Sequence, residues 1–191
     1  GAFSVYEQLA GTSDYGASLA RYGMADLEMY RGRFRKALEI LEEAIALDEA
    51  AGGSGMLAQN YVAAAEAYLV IGERDRALEA ARKAIELSSH ESVVFPAALV
   101  FLQAGSMDEA LSISKELDNR LQTLTSAYAR LIEAEVAVRR EEYAEAIQKF
   151  RDSIEQRDTW FARFLLGRLY VDRELYPEAM AELDLALERR G

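Results

Sequence analysis

One histidine stands in this chain, His90, inside Ser88-Ser89-His90-Glu91-Ser92, and an imidazole is the side chain best suited to moving a proton near neutral pH. As a general base it would need an orienting partner and a nucleophile, and Ser89 and Ser92 are near in sequence. Serines between two helical stretches more commonly cap helices, so the segment reads as a surface loop. Neighbouring carboxylates offer a second chemistry: Glu42-Glu43, Glu133 with Glu135, and Glu141-Glu142 could share acid and base work. On helices of this composition such acids are more commonly a solvated face. A third candidate is Gly53-Ser54-Gly55-Met56-Leu57-Ala58, which satisfies the dinucleotide fingerprint G-x-G-x-x-G/A. That fingerprint works when a strand delivers the glycines to a helix N-terminus beneath a pyrophosphate. Here residues 37–50 are rich in Ala, Leu and Glu and read as a helix, and no G-K-[ST] follows. Zero cysteines exclude disulfides and thiolate metal sites. The expectation is a non-enzymatic chain without metal or cofactor.

The elements around these residues follow a period. Ala37, Ala77, Ala110, Ala146 and Ala179 stand 40, 33, 36 and 33 residues apart. Each follows a short polar turn (Arg31-Gly32-Arg33-Phe34, Ile71-Gly72-Glu73-Arg74, Ala104-Gly105-Ser106-Met107, Arg140-Glu141-Glu142-Tyr143, Arg173-Glu174-Leu175-Tyr176) and opens an amphipathic run. A period near 34 residues with two helices per unit marks a helical solenoid. Helices are predicted at 2–10, 15–31, 34–50, 56–71, 74–88, 92–104, 107–119, 122–140, 143–157, 159–173 and 176–189. Strand signals are absent, and Ala50-Ala51-Gly52-Gly53-Ser54-Gly55 reads as a flexible loop that accounts for the longest spacing.

The repeat resembles the tetratricopeptide family. In the last unit Leu166-Gly167, Tyr170, Ala179, Leu183 and Ala186 reproduce the family's packing positions. Earlier units carry Ala25, Ala65, Ala98 and Ala134 in the place of Gly167, and Tyr68, Phe101 and Ala137 in that of Tyr170. Leu41, Ala81, Ser114 and Phe150 take the bulky site; Ala44, Ala84, Leu117 and Ser153 take the last small one. Departures are Glu28, where an aromatic is expected, Glu141 and Glu174 in place of the turn glycine, and no proline closing a unit. The resemblance implies an all-α, right-handed superhelical solenoid of antiparallel helix pairs. One array is expected over 1–191, with a half-repeat at 1–14 and repeats at 15–55, 56–89, 90–121, 122–157 and 158–191. Residues 158–183 are also similar to C-terminal arrays attached to bacterial serine/threonine kinases and cyclase-like signalling proteins.

The resemblance also implies a site. In this family the first helix of each unit lines a concave face. Carried over, that face presents Tyr22, Asp26, Met29, Val62, Glu66, Leu69, Phe95, Leu99, Leu102, Leu131, Glu135, Val138, Phe164, Arg168 and Val171; the alternative for each is inter-helix core. The family's carboxylate clamp of Lys, Asn and Arg is absent, since Tyr22, Asp26, Ala63, Ser92 and Pro96 stand at its places. A lining of apolar residues with three acids and one arginine suits a protein or peptide segment, helical or extended, with apolar anchors and some positive charge. The alternative function is a small-ligand sensor of a bacterial regulator.

Charge and termini complete the reading. Twenty-two basic against 33 acidic residues give a net charge of -11, which repels phosphate backbones and anionic headgroups, so neither nucleic acid nor membrane is an expected partner. No targeting segment is visible, and a cytoplasmic location is expected. Ala2 lies 35 residues before Ala37, and Ala2, Phe3, Tyr6 and Leu9 are spaced like a second helix. The chain therefore reads as a piece of a longer bacterial protein that starts inside a repeat, with Gly1 a cloning remnant. Phe3, Val5, Tyr6 and Leu9 at one end and Leu183, Leu185 and Leu187 at the other predict self-association through exposed terminal repeats.

Overall fold

Two antiparallel helices meet closely only if the chain reverses within a few residues, and five turns here do so in one way. In each, a residue in the left-handed region (Gly32, φ 73°; Gly72, 83°; Gly105, 80°; Glu141, 62°; Glu174, 61°) follows a helix end. The next N–H then bonds the carbonyl five residues back: Arg33 to Glu28, Glu73 to Tyr68, Ser106 to Phe101, Glu142 to Ala137 and Leu175 to Tyr170, at 2.7–2.9 Å. This is the Schellman closure. Glu141 and Glu174 adopt it without glycine, so the two departures from the expected pattern leave the turn unchanged.

The computed structural model describes residues 1–52 and 56–189, and of Ala2 the backbone alone. Among the described residues there are eleven helices and no strand: α1 (Ala2–Ala10), α2 (Asp14–Tyr30), α3 (Phe34–Ala50), α4 (Leu57–Val70), α5 (Arg74–Leu87), α6 (Glu91–Gln103), α7 (Met107–Asn119), α8 (Thr123–Arg139), α9 (Tyr143–Gln156), α10 (Trp160–Asp172) and α11 (Tyr176–Glu188). The boundaries fall within a residue of those predicted. Ser13 and Thr159 cap α2 and α10 by accepting from Gly16 and Ala162 N–H, and Pro177 sits in the first turn of α11, where a missing N–H costs nothing.

The helices cluster into two compact units, Gly1–Ser106 and Met107–Gly191, with the division at the turn between α6 and α7. In the first, each helix packs on the next, and α2, α4 and α6 also touch in alternate succession. In the second, α7 to α11 pack in sequence. The periodic alanines 37, 77, 110, 146 and 179 are all buried. Ser114, at the bulky site, and Ser153, at the last small one, donate their hydroxyls to the Ala129 and Ala127 carbonyls of α8 at 3.1 and 2.9 Å. Gly167 shows why the last unit keeps a glycine: a Cβ there would lie 2.8 Å from Leu183 Cγ. Gly23 does the same for the Tyr6 ring, which a Cβ would meet at 2.3 Å.

Candidate partner-binding site

Of the carboxylates that could have done chemistry, Glu42, Glu133 and Glu135 are held by hydrogen bonds and ion pairs. Glu42 Oε1 accepts from Tyr68 Oη at 2.5 Å and Arg76 Nη2 at 2.6 Å, and the Arg76 guanidinium stacks 4.1 Å over the Tyr68 ring. Glu133 meets Arg130 and Lys149 at 2.8 and 2.7 Å. Burial pushes its carboxyl up, and the hydrogen bonds from Lys149 and Arg130 outweigh that and hold it below its ordinary value. Glu141 forms the turn and Glu142 precedes α9 as its N-cap residue. His90 is the exposed N-cap of α6, its Nδ1 2.8 Å from Ser92 Oγ. Of the fingerprint, Gly53-Ser54-Gly55 lie outside the described residues, and the segment before them is the helix α3. No group of three or more His, Cys, Asp or Glu among the described residues could hold a metal, and none of their helices is long and apolar enough to cross a membrane.

In the first unit, Tyr22 and Asp26 stand one turn apart on α2 and face Glu66 of α4. Burial raises the Tyr22 phenol, followed by the charges of Glu66 and Asp26. Burial also pushes the Glu66 carboxyl up to about 7, with Asp26 adding to it. Among the described residues neither Asp26 nor Glu66 has a hydrogen bond or ion pair through its carboxylate. Met29 and Leu69 are half-buried one turn on, and Leu99 of α6 is half-buried too. Val62 and Phe95 are almost covered. Leu102 is enclosed by core and cannot meet a ligand in this structure, a correction to the expected lining: it lies on the last turn of α6, where the chain closes back on itself.

In the second unit the expected face is less open. Leu131 is wholly buried and is a core residue, a further correction to the expected lining. Buried Glu135 is neutralised, accepting from Arg139 Nη1 at 2.7 Å and Arg168 Nη2 at 2.5 Å. Val138 is half-buried, and Phe164, Arg168 and Val171 are exposed. Phe164 belongs to a cavity of about 500 Å³ between α10 and α11, lined by Trp160, Phe161, Phe164, Leu183, Ala186 and Leu187. Trp160 and Phe161 pack edge to face with centroids 5.4 Å apart.

Sequence reasoning passed over Trp160, Phe161 and Met180. The signal was available, since bulky Trp160 stands where Ala58 and Ala127 stand in earlier units. It also passed over how Glu28 is held. That carboxylate is buried and meets Arg31 at 3.2 Å, Arg33 at 3.4 Å and Lys36 at 3.8 Å. The clue was the run of cations just after this acid, Arg31, Arg33, Arg35 and Lys36, three of which reach it.

Helix pairs with these packing positions and this turn are similar in fold to tetratricopeptide repeats. A family model for the tetratricopeptide repeat matches residues 131–191, and the fold extends the likeness over the rest. TTC0263, a thermophilic tetratricopeptide protein of Thermus thermophilus, superposes with a TM-score of 0.66 at 20% identity over 91% of each chain. BtubC (BKLC) from P. vanneervenii gives 0.64 at 20% identity, over 99% of this chain and 87% of its own. YrrB, described as a tetratricopeptide protein with an unusual peptide-binding site, gives 0.51 at 19% identity, over 91% of this chain and 86% of its own. At these identities the likeness is one of fold. No curated protein matches the sequence.

Proposed function

We propose that this chain is a non-enzymatic protein-interaction module whose first unit binds a partner segment carrying apolar anchors and a lysine or arginine. The observation that carries the reading is the convergence of Tyr22, Asp26 and Glu66 across α2 and α4, with both carboxylates left without a cation among the described residues. A half-buried carboxyl pushed up to about 7 is an acid waiting for a positive charge, since an ammonium or guanidinium beside it restores the ionised form. Met29, Leu69 and Leu99 supply apolar contact beside it. The similarity of residues 158–183 to arrays attached to bacterial kinases and cyclase-like proteins makes regulation or scaffolding of a signalling protein the inferred setting.

Fluorescence anisotropy with a labelled peptide of Leu anchors and Lys tests the site. Asp26→Lys and Glu66→Lys should each weaken binding by about tenfold or more, most at low salt, because like charges then face each other. The wild type should bind more tightly at pH 8 than at pH 6, where Glu66 is largely protonated, and Glu66→Gln should lose that pH dependence. Binding indifferent to both lysine variants would place the site elsewhere. A kinase or cyclase domain in the same open reading frame is the expected finding for the signalling setting, and a frame without one would remove it.

A further inference from the structure

Four of the nine bases of the first unit, Arg31, Arg33, Arg35 and Lys36, fall within six residues, and no acid stands among them. The chain as a whole carries a net charge of -11. Glu28 is the one carboxylate that meets this cluster among the described residues: its Oε1 faces Arg31 at 3.2 Å and Lys36 at 3.8 Å, and its Oε2 faces Arg33 at 3.4 Å. Arg35 is exposed and has no ion pair among the described residues. Four cations against one carboxylate leave an excess of three positive charges, and since Glu28 is 1% exposed it is the cations that meet solvent. They wall a cleft. It has a volume of about 480 Å³, lies between the first and second turns, and is lined by Gly32, Arg33, Phe34, Arg35, Lys36 and Ile71. Phe34 and Ile71 are half-buried and give it an apolar surface. The opening has its cause inside the repeat. Arg74 stands in the next unit where Phe34 stands in this one, and its guanidinium reaches the third turn, with Nη2 3.3 Å from where a Cβ on Gly105 would lie. Phe34 leaves the corresponding space beside Ile71 open. Past Arg35 the sign of the charge changes: Glu39, Glu42 and Glu73 line the neighbouring cleft, where Glu42 and Glu73 hold Arg76 at 2.6 and 2.8 Å. The cationic stretch is short.

We propose that the cleft between the α2–α3 turn and the end of α4 binds a short acidic segment of a partner protein, with an apolar side chain against Phe34 and Ile71 and flanking carboxylates on Arg33, Arg35 and Lys36. A guanidinium fork pairs a carboxylate through two hydrogen bonds, and arginine clusters are a recurring means of reading acidic motifs. A bare anion gains nothing from Phe34 and Ile71, whereas an apolar side chain removes them from water. A long polyanion such as nucleic acid is the poorer occupant, because its charges run on past the cations to meet Glu39 and the acidic remainder of the chain. This surface takes the opposite charge to the Tyr22, Asp26 and Glu66 face, and neither reading needs the other.

The test is fluorescence anisotropy with a labelled synthetic peptide, a Leu flanked by Asp and Glu, beside a version with Lys for each acid, a version with Ser for the Leu, and an oligothymidylate. Saturable binding of the acidic Leu peptide is expected. It should weaken steeply with added salt and by about tenfold or more in Arg35→Glu, where a like charge then faces the ligand. Arg140→Glu is the control: Arg140 is exposed in the second unit, so this variant changes the net charge equally and should bind as the wild type does. Lys36→Glu is the second variant if circular dichroism shows that Arg35→Glu has lost helix. Glu66→Lys should leave the binding in place; its loss there would merge the cleft with the Tyr22, Asp26 and Glu66 face and overturn the proposal. No saturable binding at millimolar peptide would overturn it, as would equal losses in Arg35→Glu and Arg140→Glu, which would assign the effect to net charge. The Ser or Lys version bound equally well would sink it too. So would an oligothymidylate that binds more tightly than the peptide and is lost in Arg35→Glu, since the occupant would then be a nucleic acid.

Discussion

Glu66 is the residue at which physical cost and candidate role coincide. Its carboxyl is pushed from 4.5 up to about 7, by burial and then by Asp26, so the folded state holds this proton more tightly than the unfolded chain does. The sign follows: the group costs nothing at low pH, and stability is lost as pH rises from about 4.5 through 7. At roughly 1.4 kcal/mol per pKa unit the full penalty above pH 7 is at most about 3 kcal/mol. Glu66→Gln should therefore match the wild type near pH 4.5 and exceed it by about 1–3 kcal/mol at pH 8. Urea midpoints at the two pH values measure this. A variant less stable than the wild type at pH 8 would mean that a hydrogen bond to the ionised form outweighs burial. The family resemblance implied one face for Tyr22, Asp26 and Glu66, because it assigns the first helix of each unit to a concave side. It could not separate them from Leu131 or Leu102, since a position on the inner side of a helix is open or closed according to how near the neighbouring pair lies.

At the scale of elements the turns are the informative feature. Five reversals share one hydrogen-bond closure, and two of them force a glutamate to φ near +60°. An L-residue there costs roughly 1–2 kcal/mol, while glycine loses about 0.5–1 kcal/mol more backbone entropy on folding. The net sign favours glycine. Glu174→Gly should raise the stability of the second unit by about 0.5–1 kcal/mol, read as a higher urea midpoint at unchanged slope. A fall would show that the Glu174 side chain contributes something the geometry does not reveal. Helix boundaries were legible in the sequence to within a residue because apolar spacing, small packing residues and turn composition all agreed. Two features were not. The grouping of eleven helices into units that divide at the α6–α7 turn depends on packing between elements, which a periodic pattern leaves unspecified. The three-cation enclosure of Glu28 looked like a defect because the family pattern expects an aromatic ring where the chain has an ion cluster.

For the whole molecule the question is whether its charges hold it together or push it apart. Residues 1–106 carry 15 acids against 9 bases and residues 107–191 carry 18 against 13, so each unit repels itself. The pairs of Glu28 with Arg31 and of Glu135 with Arg139 and Arg168 have a buried carboxylate and are screened less by salt than exposed ones. Exposed pairs such as Lys83–Glu86 and Arg120–Glu116 are worth about 0–1 kcal/mol each and are partly lost on screening. An excess of 11 negative charges outnumbers them in effect, because every exposed acid interacts with many others within a Debye length of ~10 Å at 0.1 M salt. Sodium chloride, which unlike sulfate does not strengthen apolar burial strongly, should therefore raise the midpoint of a circular dichroism melt. A gain of about 1 kcal/mol corresponds to ~2–4 °C for a chain of this size. Near the isoelectric point of about 4.7 the gain should vanish, since the net repulsion is gone. A midpoint that falls with salt at pH 7 would show instead that the surface ion pairs, and not the net charge, govern the electrostatics of the fold.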